Sequence, residues 1–215
     1  MKKAMPVVSL ESTPKLLAHY TQIPVLLDVL KRKKLVLSNP ENWEDKSDVA
    51  LLKHYAHKDN IRVLCFKELK GHQDSILHWK AYADGMSGCR IDFDFEKLSQ
   101  AAKAIKAKLG KVEYFGPSIQ NAIELPFVKR ASYAGEQEWR IVWKGKLKTE
   151  QELSIKKGAI DRITFSAKMP RSLFDRIKVF LKDELKVNFN ISQSQIFENE
   201  RWEKTVLASK MGVKD

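Results

Sequence analysis

Cysteine is scarce in this chain: Cys65 and Cys89 are the only two among 215 residues. Both lie in strand-like apolar runs. Neither a disulfide framework nor a cysteine-based zinc site follows, and a reducing cytoplasm is the expected compartment. Long apolar runs are missing too. Nothing approaches the ~18 consecutive apolar residues of a membrane-crossing helix. The basic start Met1-Lys2-Lys3-Ala4-Met5-Pro6 is not followed by an apolar core of signal-peptide length. No membrane partner is expected. Glycines are few, and Gly71, Gly85, Gly88 and Gly110 form no phosphate-loop or dinucleotide fingerprint. A serine-centred nucleophile elbow is absent. His54 and His57 stand about one helical turn apart, with His72 and His78 following, yet no carboxylate or cysteine completes a zinc-type ligand set. No metal is expected.

Positive charge is in excess. Lysine and arginine outnumber aspartate and glutamate by 39 to 27, a net charge of +12. Such a balance favours a polyanionic partner, most simply nucleic acid, or an anionic substrate such as a dinucleotide. Lysines on solvated helices account for the same charge with no partner at all. Lys144, Lys146, Lys148, Lys156 and Lys157 are the candidate nucleic-acid contacts, in a region 144–157 expected to be the most exposed hairpin. The 43% of hydrophobic residues is a globular proportion, and no repeat or linker breaks the chain.

Periodicity predicts one α+β domain over residues 1–215, with a mixed or antiparallel sheet flanked by helices. His19-Tyr20 marks a first short strand. Pro24 opens an amphipathic helix from Val25 to Lys33, with its basic end suited to a helix C-terminus. Strands are expected at 34–38, 61–66, 88–93 and 111–115, and helices at 48–57 and 75–83. The Ala- and Lys-rich stretch from Phe95 to Leu109 reads as a helix ended by Gly110. A strand over 159–166 and a helix over 170–185 complete the pattern, and the tail from Ser192 is ambiguous.

Two segments carry the candidate chemistry. In the first, Glu136 and Glu138 stand where a polar turn meets a strand-like run in which Trp139, Ile141 and Trp143 alternate. Residues two apart in a strand share a face, so both carboxylates are expected in one cleft, with Arg140 on the same side. Paired carboxylates suit general base work or stabilisation of a positive transition state. The plain alternative is a solvated strand edge with a Glu–Arg pair. In the second segment, Trp79 and Tyr82 lie three apart on one helical face. The glycines Gly85 and Gly88 around Met86-Ser87 leave a bare turn open to close approach by a ligand. Its alternative is a core tryptophan, a packed tyrosine and an ordinary helix-to-strand turn.

Together these segments resemble a bacterial family catalogued as domain of unknown function 2971. The likeness rests on Trp79, Tyr82 and Ala83, on Gly88, Ile91 and Phe93, and on the block Glu136, Glu138, Trp139 and Arg140 with Lys129 upstream. It spans roughly residues 15–145, leaving 146–215 as a C-terminal extension. The family's Asn-Asp-Pro element is altered here to Asn39-Pro40-Glu41-Asn42-Trp43-Glu44-Asp45, and the serine after Cys65-Phe66 is Lys67.

The order of an early His19-Tyr20, a middle Tyr82 and a late Glu138 is also similar to that of ADP-ribosyltransferases. That resemblance implies nicotinamide adenine dinucleotide (NAD) as substrate. It implies dinucleotide contacts from His19, Tyr20, Trp79, Lys129 and Arg140, and catalytic roles for Glu138, Glu136 and Tyr82. Cleaving the nicotinamide–ribose bond develops positive charge on the sugar, which a buried carboxylate stabilises. Two other readings stand beside it. One is a nucleic-acid-binding or nuclease module of a bacterial defence or toxin system, the nuclease form using Glu136, Glu138, Asp92 and Asp94. The other is a non-catalytic interaction domain.

Overall fold

A computed structural model describes residues 13–71, 73–116, 124–146, 149–198 and 200–210. In chain order the elements are β1 (Leu16–Gln22), α1 (Ile23–Arg32), β2 (Lys34–Leu37), α2 (Lys46–Ala56), β3 (Asn60–Leu69), α3 (Ile76–Tyr82), β4 (Gly88–Asp94) and α4 (Phe95–Ala104). There follow β5 (Lys108–Lys111), β6 (Glu113–Phe115), β7 (Val128–Arg130), a 3-10 turn at Ala131–Glu136, β8 (Glu138–Gly145), β9 (Gln151–Ser154), β10 (Ile160–Phe165), α5 (Arg171–Asp183), β11 (Asn190–Gln193) and α6 (Glu200–Lys210). The α+β class and the mixed sheet flanked by helices agree with the periodicity. Seven strands form the main sheet in the order β11-β10-β4-β1-β3-β8-β5. Only β10–β11 is parallel; every other pairing in that sheet is antiparallel.

Local chemistry starts the helices. Asp45, Ser75 and Asp94 cap α2, α3 and α4 by accepting hydrogen bonds from backbone N–H groups of the first turn. α1 carries proline in its first turn and Lys31 and Arg32 in its last. Two expectations need correction. The helix from Phe95 stops at Ala104, the chain turns at Lys106 with φ 58°, and Lys108–Lys111 pairs with β8 instead. Helical propensity there is overridden by the open edge of β8. Gly110 is therefore a strand residue; a Cβ on it would lie 2.9 Å from the Phe127 ring. Nor is 144–157 a hairpin, because β9 pairs with β2, tied by Glu152 to Arg32 and Lys34. Beyond residue 145 the chain continues in the same sheet, where β10 pairs with β4.

Strand alternation gives the sheet two unlike faces. On one, Leu17, Phe66, Ile91, Phe93, Ile141, Trp143, Ile163 and Phe165 meet Leu26 and Leu30 of α1, Leu98 of α4 and Phe174 of α5 in a single apolar core. Each such buried side chain contributes about 1.5–3 kcal/mol of transfer free energy. The other face has two smaller apolar clusters, Leu52 of α2 with Val63 and Val142, and Trp79 of α3 with Ala18 and Tyr20. The residues left between them are charged and buried: Arg90, Asp92, Glu138 and Arg140.

Gly88 is needed for packing. A Cβ there would stand 1.8 Å from the carbonyl oxygen of Ala83 at the end of α3. The bare position admits this backbone rather than a ligand. Gly88→Ala should push α3 away from β4 and cost about 1–3 kcal/mol, as overpacking does. A melting temperature unchanged from that of the unaltered chain would show that the helix end shifts freely.

Candidate active site

The site is assembled where β7, the turn after it and β8 pass under α2 and α3. Glu136 is not in the strand, as strand spacing predicted. It ends the 3-10 turn, Gln137 follows in the left-handed region at φ 46°, and β8 begins at Glu138. The carboxylates converge all the same, through that reversal and not through alternation. Lys129 Nζ on β7 donates to Glu136 Oε2 at 2.6 Å and to Glu138 Oε2 at 3.2 Å. Arg140, on the same face as Glu138, donates from Nε to Glu138 Oε1 at 2.6 Å. Its two other nitrogens reach Asp48 at 2.9 and 2.5 Å. Tyr82 on α3 donates its hydroxyl to Glu136 Oε1 at 2.8 Å.

Burial alone would raise the Glu138 pKa, but the Arg140 guanidinium and the Lys129 ammonium outweigh it and bring it to about 2. Glu138 is thus ionised at neutral pH. Burial disfavours the charged form of Lys129, yet the Glu138 and Glu136 carboxylates hold its pKa above the usual range. The Tyr82 hydroxyl is pushed well up by burial and by Glu136. His78 donates from Nε2 to the Glu136 carbonyl at 3.0 Å and accepts from Ser75 at Nδ1, so its tautomer is set. Burial, aided by Lys67, lowers its pKa to about 4.

The predicted residues part company here. Glu136, Glu138, Lys129, Arg140 and Tyr82 meet in one cluster. Tyr82 is 48% exposed at its edge, and Trp79 is buried against Tyr20 at 5.3 Å, ring edge to face. Tyr20 and Trp79 are packed in the small cluster under α3. His19 does not join. It lies opposite Ile91 across β1–β4, and its ring packs 5.7 Å from Phe66, both on the apolar-core face. Its Nδ1 donates to the Cys65 carbonyl at 2.9 Å. Alternation puts Tyr20, not its neighbour His19, on the side of Glu138. The nuclease set is not assembled: Asp92 pairs with Arg90 and Asp94 caps α4. Lys144, Lys146, Lys156 and Lys157 are exposed, and Lys148, like His72, lies outside the described residues.

No family model matches the chain, so the family resemblance rests on the quoted residues alone, and no curated protein matches it either. Among solved structures, it is similar to Thermus sp. 2.9 DarT in complex with NAD+, at 11% identity over 86% of this chain and 97% of that chain, with a TM-score of 0.46. It is also similar to Thermus sp. 2.9 DarT in complex with ADP-ribosylated ssDNA, at 12% identity over 85% and 95%, with a TM-score of 0.40. At that identity and TM-score the likeness carries no argument.

Sequence reasoning missed Asp48 and Tyr114. Asp48 shares the buried side of α2 with Leu52 and Ala56 at four-residue intervals, and a carboxylate on such a stripe signals a buried partner. Tyr114 accepts the Glu138 N–H at 2.8 Å, and no local signal marks it.

The shifted groups predict acid sensitivity. His78 titrates near 4 in the fold against 6.5 when unperturbed. Between those values the unfolded chain binds the proton and the fold does not, so stability falls as pH drops. Glu138 is depressed from 4.5 to about 2. Its stabilising contribution is full above 4.5 and is lost as pH falls towards 2. Melting temperature should therefore decline from about pH 6.5 downward, and His78→Gln should flatten the upper part of that decline. A flat profile from pH 7 to about pH 4 would contradict the burial of a neutral His78.

Proposed function

We propose that the chain is an ADP-ribosyltransferase-type enzyme that cleaves the nicotinamide–ribose bond of NAD and passes the ADP-ribosyl group to a nucleophilic atom of a nucleic acid, which bonds the ribosyl carbon and gives up its proton. One observation carries this reading. The buried cluster holds three carboxylates, Asp48, Glu136 and Glu138, against two cations, Lys129 and Arg140. Three against two leaves one negative charge in excess, in a place where charge is expensive. Structural stability alone favours balance, whereas a surplus carboxylate suits a ligand that becomes positive. As the bond breaks, nicotinamide leaves with the electron pair and the ribosyl carbon turns cationic; the cluster opposes that charge.

Glu136, bonded to the half-exposed Tyr82, is the carboxylate that meets the sugar. Glu138 is ion-paired on both oxygens, to Arg140 and to Lys129, and fixes them, a positioning role. Tyr82 and Tyr133 offer ring faces beside it, Tyr133 with Lys129 at 4.5 Å and Arg130 at 5.2 Å from its centroid. The net charge of +12 supports a nucleic acid as acceptor.

The test is release of nicotinamide from NAD by the purified chain, alone and with single-stranded DNA, RNA or protein as acceptor. Release stimulated by nucleic acid is expected. Replacing Lys144, Lys146, Lys156 and Lys157 by glutamine should remove the stimulation in a salt-dependent way and leave acceptor-free release intact. No release with any acceptor, alongside salt-dependent nucleic-acid binding, would favour the non-catalytic binding module that the same charge supports.

A further inference from the structure

On the wing formed by β4, β10 and β11 the contrast between faces is greatest. Ile91, Phe93, Ile163, Phe165 and Ile191 fill one side with apolar core. Their neighbours Arg90, Arg162, Thr164 and Ser192 line a cavity of about 1430 Å³ on the other, walled by Gln73 and Glu198 and by α6. Polar groups taken out of water cost free energy unless they are bonded. Arg90 is fully served: Nε and one terminal nitrogen donate to Asp92 at 2.7 and 2.9 Å, and the other to Asp74 at 2.5 Å. Arg162 is not. Its Nε is buried with no hydrogen-bond partner, and its guanidinium has no ion-pair partner among the described residues. Beside it, the hydroxyls of Thr164 and Ser192 contact one another at 3.3 Å.

We infer that this cavity binds a sugar phosphate, with the phosphate on Arg162. A planar guanidinium matches two phosphate oxygens at once, and adjacent hydroxyls donate to the remaining ones. The Gln73 amide and the Glu198 carboxylate supply acceptors for sugar hydroxyls. The volume exceeds the roughly 300–1,000 Å³ of ordinary ligand pockets, leaving room for a base attached to the sugar. Ile196 offers apolar surface to such a base. None of Glu136, Glu138, Lys129 and Tyr82 lines the cavity. The inference therefore stands apart from the proposed enzymatic reading.

Calorimetric titration of the full chain with ribose 5-phosphate, AMP, ribose and inorganic phosphate tests it. Saturable binding of ribose 5-phosphate or AMP, with none of ribose, is expected. Tighter binding of AMP assigns a nucleotide, and equal binding a free sugar phosphate. Arg162→Gln should weaken the affinity by about tenfold or more, since the guanidinium makes the charged bonds. Arg162→Lys keeps the charge without the fork; should the glutamine variant not fold, its weaker binding carries the same conclusion. Glu136→Gln should leave the titration unchanged. No binding at millimolar concentration, equal binding by the Arg162 variants, or loss of binding in Glu136→Gln would overturn the assignment.

Discussion

Arg140→Met should lower the melting temperature by roughly 6 to 20 °C. The guanidinium is fully buried and makes bonds to Glu138, Asp48 and the Pro126 carbonyl. Methionine has similar volume, so packing is largely kept, and the charge is what goes. Three buried carboxylates, Asp48, Glu136 and Glu138, then face Lys129 alone. Breaking a buried pair by removing one partner costs about 3–5 kcal/mol, and each kcal/mol moves the melting temperature of a chain this size by about 2–4 °C. Arg140→Lys should recover only part of the loss, because an ammonium cannot fork to Asp48 and Glu138 together. Adding Asp48→Asn and Glu138→Gln to Arg140→Met should restore much of it, because the stranded charges leave with the arginine. The check is thermal unfolding of the three variants side by side; a shift of less than about 2 °C in Arg140→Met would mean that water reaches the cluster.

Glu136→Gln should abolish nicotinamide release while the melting temperature stays where it was. The substitution keeps the shape and, with the amide oxygen on Lys129 and the NH2 donating to the Tyr82 hydroxyl, keeps both contacts, while it removes the surplus negative charge and brings the cluster to balance. Stability therefore has no reason to fall. The rate should fall by about a hundredfold or more, as when a preorganised electrostatic group is removed from an active site. Glu138→Gln is expected to behave differently, losing release and stability together, since both of its oxygens are ion-paired. Tyr82→Phe should give an intermediate loss of rate at nearly full stability, because Glu136 keeps its bond to Lys129. Equal rates in Glu136→Gln and the unaltered chain would remove the catalytic reading of this cluster.

The legible part of the site was local. Trp139, Ile141 and Trp143 alternate, and all three turn to the apolar core, which puts Glu138 and Arg140 on the other side. The period of a strand is enough for that. It was not enough for Glu136, whose place follows from one left-handed residue, Gln137, that no apolar pattern announces. His19 and Tyr20 show the same limit. Their strand was evident, but which of the pair faces Glu138 depends on the register of β1 against β4.

The sequence by itself determined the class of fold, the α1, α5, β4 and β10 elements, and the charge excess that points to an anionic partner. Periodicity and composition suffice there, because each element's apolar side is written in its own residues. The tertiary structure alone decided that Asp48 and Arg140 meet across 92 positions, that 108–111 is a strand and not a helix end, and that Arg162 lines a cavity with its Nε lacking a hydrogen-bond partner among the described residues. These depend on which strand edges remain open and which faces come together. Local propensity is worth well under 1 kcal/mol per residue, whereas a misplaced buried charge costs several, so the long-range pairing prevails wherever the two disagree.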